Sequence, residues 1–244
     1  MSKRVLVTGA SGFVGANLVH RLVADGHETH LLLRPPHQTW RLKDIGAHVG
    51  QHHAHIENAA AVKAIVRSVQ PEWVFHLAAF GTHEGQAGMQ EMVSTNVMGT
   101  VHLLEACLAE GFEAFVQAGT TEEAAPAGPY GITKAAASQY VEWVARTKGV
   151  NAAVVRLPAL YGPWEDPLRA VPATVVRALR NDAIPVAPAG ERIWVEDGVS
   201  ALLAAASGEA AAEGTELAEG MKKLADWLLA HPEILRMYEA RLGL

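Results

Sequence analysis

The sequence predicts a doubly wound α/β protein: a parallel sheet with helices on both faces, plus a small, truncated C-terminal substrate-binding annex. Three observations carry this. Short apolar runs alternate with helix-period segments as far as residue 157, a glycine-rich turn joins the first such pair, and the alternation then stops at a proline-rich stretch. Steady alternation of strand and helix implies parallel strands joined by right-handed crossovers.

Val5-Leu6-Val7, stopped by Thr8-Gly9, reads as the first strand. Phe13, Val14, Leu18, Leu22 and Val23 follow at helical spacing until Gly26 closes the helix. Residues 28–33 form the second strand, ended by Arg34-Pro35-Pro36, and 47–53 the third. A helix over 59–69 stops before Gln70-Pro71. Then come a strand at 72–79, a long helix at 93–109, a strand at 113–118, a helix at 130–147 and a sixth strand at 152–157. Six prolines between Pro158 and Pro188 break the periodicity into loops and short helices. The alanine-rich tail, 199–244, reads as helical, with a closing helix at 217–229 and no strand candidate. The expected division is a dinucleotide-binding domain over 1–157 and an annex over 158–244, partly interleaved with the sheet.

At 244 residues and 50% hydrophobic content the chain can bury a sizeable core. Lys+Arg 20 against Asp+Glu 26 leaves a net charge of −6, which points away from nucleic acid as a partner. No apolar run approaches the roughly 20 residues of a membrane span, so no membrane association is expected. The N-terminus reaches the glycine turn within nine residues and shows no secretory signal. The lone Cys107 suits a reducing cytoplasm, the expected location.

Thr8-Gly9-Ala10-Ser11-Gly12-Phe13-Val14-Gly15 lies between the first strand and its helix. A pyrophosphate must approach backbone N–H groups at a helix N-terminus, where the dipole favours negative charge. Side chains at Gly9 and Gly12 would block that approach, and Gly15 lets the helix pack close to the sheet. About 20 positions on, NAD sites place a carboxylate for the ribose hydroxyls. Here stands Arg34, with no Asp or Glu before Asp44. A guanidinium pairs with a 2′-phosphate, so NADP(H) is favoured; a solvated arginine would be compatible with NAD as well.

Tyr130-Gly131-Ile132-Thr133-Lys134 places a phenol and an ammonium one helical turn apart. An exposed helical pair is the common explanation of this spacing. After the fifth strand of a cofactor-binding sheet it has another: the ammonium and an oxidised nicotinamide lower the phenol's pKa, typically by about 1–3 units for one such neighbour. Tyr130 then exchanges a proton with a carbinol or carbonyl oxygen as hydride moves.

These segments, with PEWVFHLAA (71–79), STNVMGTVHLLEAC (94–107), FVQAGTTEE (115–123), VVRLPALYGP (154–163) and RIWVEDGVSAL (192–202), resemble the extended short-chain dehydrogenase/reductase family. The likeness is to its nucleotide-sugar epimerase, dehydratase and 4-ketoreductase branch and covers nearly the whole chain. It implies a Rossmann domain whose cofactor lies across Gly9, Ser11, Gly12, Phe13, Val14, Gly15, Arg34, His55, Ile56, Leu77, Ala78, Ala79, Asn96, Tyr130, Lys134 and Leu157. Asn96 would hold the helix supporting the site. Tyr130 would be the proton donor or acceptor, Lys134 would lower its pKa and bind the nicotinamide ribose, and Thr120 would hydrogen-bond the reacting oxygen. Glu122 fits the base of a sugar-nucleotide dehydratase, but a Glu here also occurs in 4-keto-sugar reductases, and Thr121 replaces the second acid of many dehydratases. Two solvated loop carboxylates explain Glu122 and Glu123 equally well. A homodimer through helices 93–109 and 130–147 is implied. The expected function is NADP(H)-dependent reduction of a 4-keto group on a nucleotide-diphosphate sugar. The alternatives are a 4-epimerase or 4,6-dehydratase and, in another class, a non-catalytic NADP-binding regulatory or scaffold protein.

Departures from the family pattern stand out. The 120–130 loop is short, with Ala124-Ala125 in place of an aromatic-glycine pair; His55-Ile56-Glu57-Asn58 replaces Asp-hydrophobic-x-Asp, whose first acid contacts adenine; and the tail lacks a late strand. His52, His53 and His55 lack the cysteine or spaced carboxylate that would complete a metal site and read as adenine-side or surface residues. His76 reads as a satisfied strand histidine and Cys107 as core. By position His83 or Glu84 can meet substrate, with solvated loop residues the alternative, and Arg156, Tyr161, Arg169 or Arg192 a diphosphate or base, with a surface charge equally compatible.

Overall fold

The computed structural model describes residues 1–36, 40–81, 88–180, 192–209 and 214–244. Thr82, His83 and Glu84 lie outside the described residues. A six-stranded parallel sheet is built from β1 (Arg4–Thr8), β2 (Glu28–Leu33), β3 (Gly50–His53), β4 (Trp73–His76), β5 (Ala114–Thr120) and β6 (Ala152–Leu157), in the order β3-β2-β1-β4-β5-β6. Helices α1 (Phe13–Ala24), α2 (Ala59–Val69), α3 (Met89–Met92), α4 (Gly99–Glu110) and α5 (Pro129–Lys148) complete the crossovers. Local chemistry sets several ends. Asn58 caps α2 by accepting from Ala61 N at 3.1 Å, an interaction worth about 1 kcal/mol. Pro129 opens α5, and Gly149, at φ 64°, closes it.

Two apolar layers cover the sheet. Val5, Val7, Leu31 and Phe75 of the sheet pack with Leu18 of α1 on one side; Leu6, Val74 and Phe115 pack with Val62 of α2, Leu103 of α4 and Val141 of α5 on the other. Fully burying such a side chain contributes about 1.5–3 kcal/mol. Helix α7 (Val195–Ser207) joins the first layer through Val199, Leu202 and Ala206, so the expected annex divides between two cores. The rest packs around Tyr161, Val175, Trp194, Leu224 and Tyr238, drawing on β7 (Ala159–Tyr161), α6 (Ala170–Leu179), β8 (Arg192–Trp194), α8 (Leu217–Ala230) and α9 (Pro232–Leu242).

Differences from the sequence expectation have local causes. β3 starts late because residues Gly46–His48 form a 3-10 turn; a β-carbon at Gly50 would lie 2.3 Å from His30 Nδ1. β4 ends at His76 because Ala78 N donates to the Thr8 hydroxyl at 3.2 Å instead of continuing the backbone ladder. β5 runs on to Thr120, paired with Leu157 of β6. The long helix begins at Met89 and widens into π-type turns over Val93–Met98, a form frequent at functional sites. The parallel pair β7–β8 lies where no strand was read, and helix α9 lies within the tail read as helical, beyond the expected closing helix.

Beneath β4, hydrogen-bond direction settles the state of His76. The Thr100 hydroxyl donates to Asn96 O at 2.7 Å, so it accepts from His76 Nε2–H at 2.9 Å. His76 Nδ1 then accepts from the Thr8 hydroxyl at 2.7 Å, whose oxygen takes Ala78 N–H. The ring is neutral and fully satisfied, as expected, and burial, helped by the Lys134 charge, holds its pKa down to about 3. Cys107 is core, its thiol pushed up to about 12 by burial.

Unfolded, His76 titrates near 6.5, so below that pH the unfolded chain binds a proton that the folded one refuses. The His76 contribution is complete above about pH 6.5, and its loss between pH 6.5 and 5 is about 2 kcal/mol. Urea unfolding at the two pH values measures it; His76→Gln, though less stable at pH 7, shows a correspondingly smaller drop. Equal drops in both proteins would refute this account.

Candidate active site

Strand order reverses between β1 and β4, and open α/β sheets place ligands at that crevice, outside the carboxyl ends of the strands. Its floor is backbone. A β-carbon on Gly9, at φ 70°, would lie 2.5 Å from Leu77 C and 2.6 Å from Ala78 N; one on Gly15 would lie 2.2 Å from Gly9 O. Neither distance is tolerable, so glycine is required at both. Gly12, in extended conformation, precedes α1 and leaves its first N–H groups without a side-chain cap. Such a terminus accepts a phosphate, so the residues present fit a dinucleotide. Ser11, Phe13 and Val14 are half-buried along this turn, as are Leu77, Ala78 and Ala79 across from it.

Arg34 is exposed at the end of β2 and lines a cleft of about 330 Å³ with Glu57, Phe80, Gln90, Glu91, Ser94 and Thr95. His55 is exposed, its Nδ1 4.0 Å from Glu57 Oε2, and Ile56 is buried against Gly99. The polar residue turned to the cleft is Glu57, which sequence reasoning missed although it stands two positions after His55. Thr95 donates to its Oε1, and its Oε2 is buried without a hydrogen-bond partner.

At the other end, β5, α5 and the π-type segment converge. Asn96 Oδ1 accepts from Phe80 N at 2.7 Å, and Nδ2 donates to Phe80 O at 2.9 Å and Thr133 Oγ1 at 3.0 Å. This ties the crevice wall to α5. The Tyr130 ring lies beside Gly81, where a β-carbon would sit 3.2 Å from Tyr130 Cδ2. Lys134 is buried, its ammonium 2.6 Å from Ala118 O. Leu157 is buried in the core opposite Thr120.

Electrostatics within the protein run opposite to the expected lowering: burial, reinforced by the Glu122 and Glu123 carboxylates, pushes Tyr130 up to about 12. Burial also draws Lys134 down to about 8, against the pull of Glu123. The ammonium is directed to a carbonyl, and dehydration of a phenolate outweighs it. The turn after β5, Thr121–Ala124, separates its two acids. Glu122 is exposed. Glu123 is not the solvated carboxylate allowed for: it is buried, accepting from Thr120 N at 2.9 Å and from Arg156 Nε at 2.9 Å. The Thr120 hydroxyl caps this turn, accepting from Glu122 N at 3.3 Å.

Of the arginines and tyrosine considered for a diphosphate or base, Arg156 is thus engaged and Tyr161 is fully buried. Arg169 is exposed. Arg192 is half-buried with Nε unpartnered, as are Trp194 Nε1 and Glu165 Oε2 nearby in the annex. Burial pushes the Glu165 carboxyl up to about 8. Arg41, also missed, joins the two cores: Nε donates to Trp164 O at 2.7 Å and Nη1 to Ser11 O at 3.3 Å. A lone arginine in an unstructured-looking stretch carries no sequence signal for such a bridge. Among the described residues, no helix is long and apolar enough to cross a membrane, and no three metal-ligating side chains cluster.

Comparison with known proteins accords with this geometry. The chain is similar to dTDP-glucose 4,6-dehydratase of Shigella flexneri, 26% identical over 243 residues, covering 82% of this chain and 67% of that protein. Its fold matches the crystal structure of UDP-glucose 4-epimerase from Thermotoga maritima with UDP-glucose, at TM-score 0.72 and 26% identity over 91% of this chain and 81% of that one. It also matches Bacillus anthracis dTDP-glucose 4,6-dehydratase in complex with NAD, at TM-score 0.76 and 20% identity, covering 96% and 99% of the two chains. Residues 5–217 match the model of the NAD dependent epimerase/dehydratase family, and this chain belongs to that family of extended short-chain dehydrogenases/reductases.

Proposed function

We propose that this protein uses NADP(H) to reduce a 4-keto group on a nucleotide-diphosphate sugar, with Tyr130 supplying the proton. The observation that carries this reading is the convergence at the crevice of half-buried Tyr130 beside Gly81, Lys134 one helical turn on with its ammonium 2.6 Å from Ala118 O, and Thr120 at the end of β5. A phenol, protonated at neutral pH, is the acid form a reduction requires. The bound dinucleotide supplies the hydride. Thr120, whose oxygen accepts from Glu122 N, donates its hydroxyl hydrogen to the substrate oxygen. Lys134, anchored on Ala118, holds positive charge behind the reacting oxygen. Arg192, with its unpartnered Nε, supplies a donor for the diphosphate.

Arg34 at the end of β2 supports NADP(H), and Glu57 Oε2 offers an acceptor to the adenosine. A 4-epimerase or 4,6-dehydratase is the second reading. It is favoured by the exposed Glu122, whose charge acts on Tyr130. Dehydration also needs an acid for the departing hydroxyl. The turn offers Thr121 there, and Glu123 is tied to Arg156, which weighs towards reduction.

Incubation with NADPH and a panel of nucleotide-diphosphate-4-keto-sugars consumes NADPH stoichiometrically; an unchanged NADPH signal with product formed identifies a recycling enzyme instead. Tyr130→Phe lowers turnover at least about a hundredfold with cofactor affinity within about threefold, since a general acid is worth that much. A protein without turnover whose Tyr130→Phe variant is indistinguishable from it is a binding protein.

Arg34→Ala weakens NADP binding about tenfold and leaves NAD binding unchanged, measured by tryptophan fluorescence titration. Tighter binding of NAD than NADP by the unaltered protein overturns the cofactor assignment.

We further propose the homodimer. Val93, Met98, Ile132 and Trp143 expose 37%, 43%, 51% and 48% of their surfaces on the two helical segments expected to pair. Light scattering at micromolar concentration gives twice the chain mass, and Trp143→Glu halves it; a monomeric unaltered protein refutes the dimer.

A further inference from the structure

The carboxylate of Glu123 is 2% exposed, yet it lies one residue beyond the only exposed acid of its turn. Its two oxygens join different elements. Oε1 accepts from Thr120 N at the end of β5, and Oε2 accepts from Arg156 Nε on β6. Arg156 Nη2 in turn donates to Glu142 Oε1 at 2.8 Å on α5, the helix that carries Tyr130 and Lys134. Room for the carboxylate exists because residue 119 is glycine: a β-carbon there would lie 2.7 Å from Glu123 Oε1 and 3.1 Å from Arg156 Cγ. Gly119 and Arg156 face each other in the β5–β6 register, so the vacancy and the guanidinium arrive together.

We propose that Glu123 is a positioning residue, strapping the Thr120 end of β5 to β6 and, through Arg156, to α5, so that the Thr120 hydroxyl and the Tyr130 phenol hold one geometry. This rests on the proton-donor reading of Tyr130. Its charge has a second effect. Tyr130 is faced by Glu122 and Glu123 from the turn, and Lys134 by Glu123 from the turn and His76 from β4. Glu123 favours the proton on both groups, so removing its charge releases both protons at lower pH.

Glu123→Gln in the full-length protein separates the outcomes. With its one oxygen accepting from Thr120 N–H, the amide presents its NH2 to Arg156 and loses that bond. With ¹³C-labelled lysine, the Lys134 resonance, assigned by its loss in Lys134→Met, titrates about half a unit or more lower than in the unaltered protein. Turnover of an accepted nucleotide-diphosphate-4-keto-sugar falls about tenfold, and the alkaline limb of its pH profile moves to lower pH, with NADPH affinity within twofold. An unmoved Lys134 titration with unchanged turnover overturns the proposal. Should Glu123→Gln fail to fold by circular dichroism, Arg156→Gln is read instead: it keeps the buried charge, cuts the tie to α5, lowers turnover and raises the Lys134 midpoint, and the absence of both effects overturns the proposal. Tyr130→Phe tests the parent reading separately. Full turnover in that variant removes the proton-donor role itself, whereas lost turnover beside an unaltered Glu123→Gln removes only the role of Glu123.

Discussion

The crevice depends on backbone meeting backbone. Gly9 leaves β1 in a left-handed conformation and passes so close to Leu77 and Ala78 that any side chain would overlap them. That approach is held open by directional hydrogen bonds beneath it, from Ala78 N–H to the Thr8 hydroxyl, to His76, to the Thr100 hydroxyl and on to Asn96 O. Thr8, His76 and Thr100 each donate once and accept once, so this buried polar chain carries no unsatisfied hydrogen. Its last residue, Asn96, then grips Phe80 and Thr133 with its amide, which carries the constraint from the phosphate turn to the helix bearing Tyr130. Two ends of a long cofactor site are thereby referred to the same pair of strands.

Within that frame burial dominates the electrostatics. Tyr130, Lys134, His76 and Cys107 are all displaced towards their neutral forms, and desolvation leads in every case. The carboxylates of the 121–124 turn reinforce the effect at Tyr130 and oppose it at Lys134, as their sign demands. Among the described residues, side-chain hydrogen bonds join the annex to this machinery. Arg41 reaches both Ser11 and Trp164, and Asn17 Nδ2 donates to Pro163 O at 2.8 Å, so the phosphate turn and the annex share one scaffold.

Much of this was legible in the residues. The strands at 28–33 and 152–157 and the helix at 59–69 are found where the periodicity puts them, because apolar alternation and the stops at Pro35, Pro71 and Pro158 act locally. The histidine of EWVFHLAA and the lone cysteine also lie where their neighbours suggest. Other features were hidden. The adjacent acids Glu122 and Glu123 are chemically identical in sequence; one is exposed and one buried because only one meets the guanidinium that β6 delivers across the sheet. His55 holds the position that resembles an adenine contact, but Glu57 turns to the cleft, where the hydroxyl of Thr95, 38 residues on, accompanies it. The π-type turns around Asn96 and the pairing of β7 with β8 likewise follow from partners distant in the chain.

The sequence by itself determined the winding of the sheet, the glycine turn and the one-turn spacing of Tyr130 and Lys134, since helix and strand periods and positive-φ turns are written in runs of adjacent residues. Tertiary structure alone decided which carboxylates are buried, which way the Tyr130 proton equilibrium leans and how the annex is anchored. Those outcomes turn on desolvation and on partners brought from far along the chain, and neither has a period to be read.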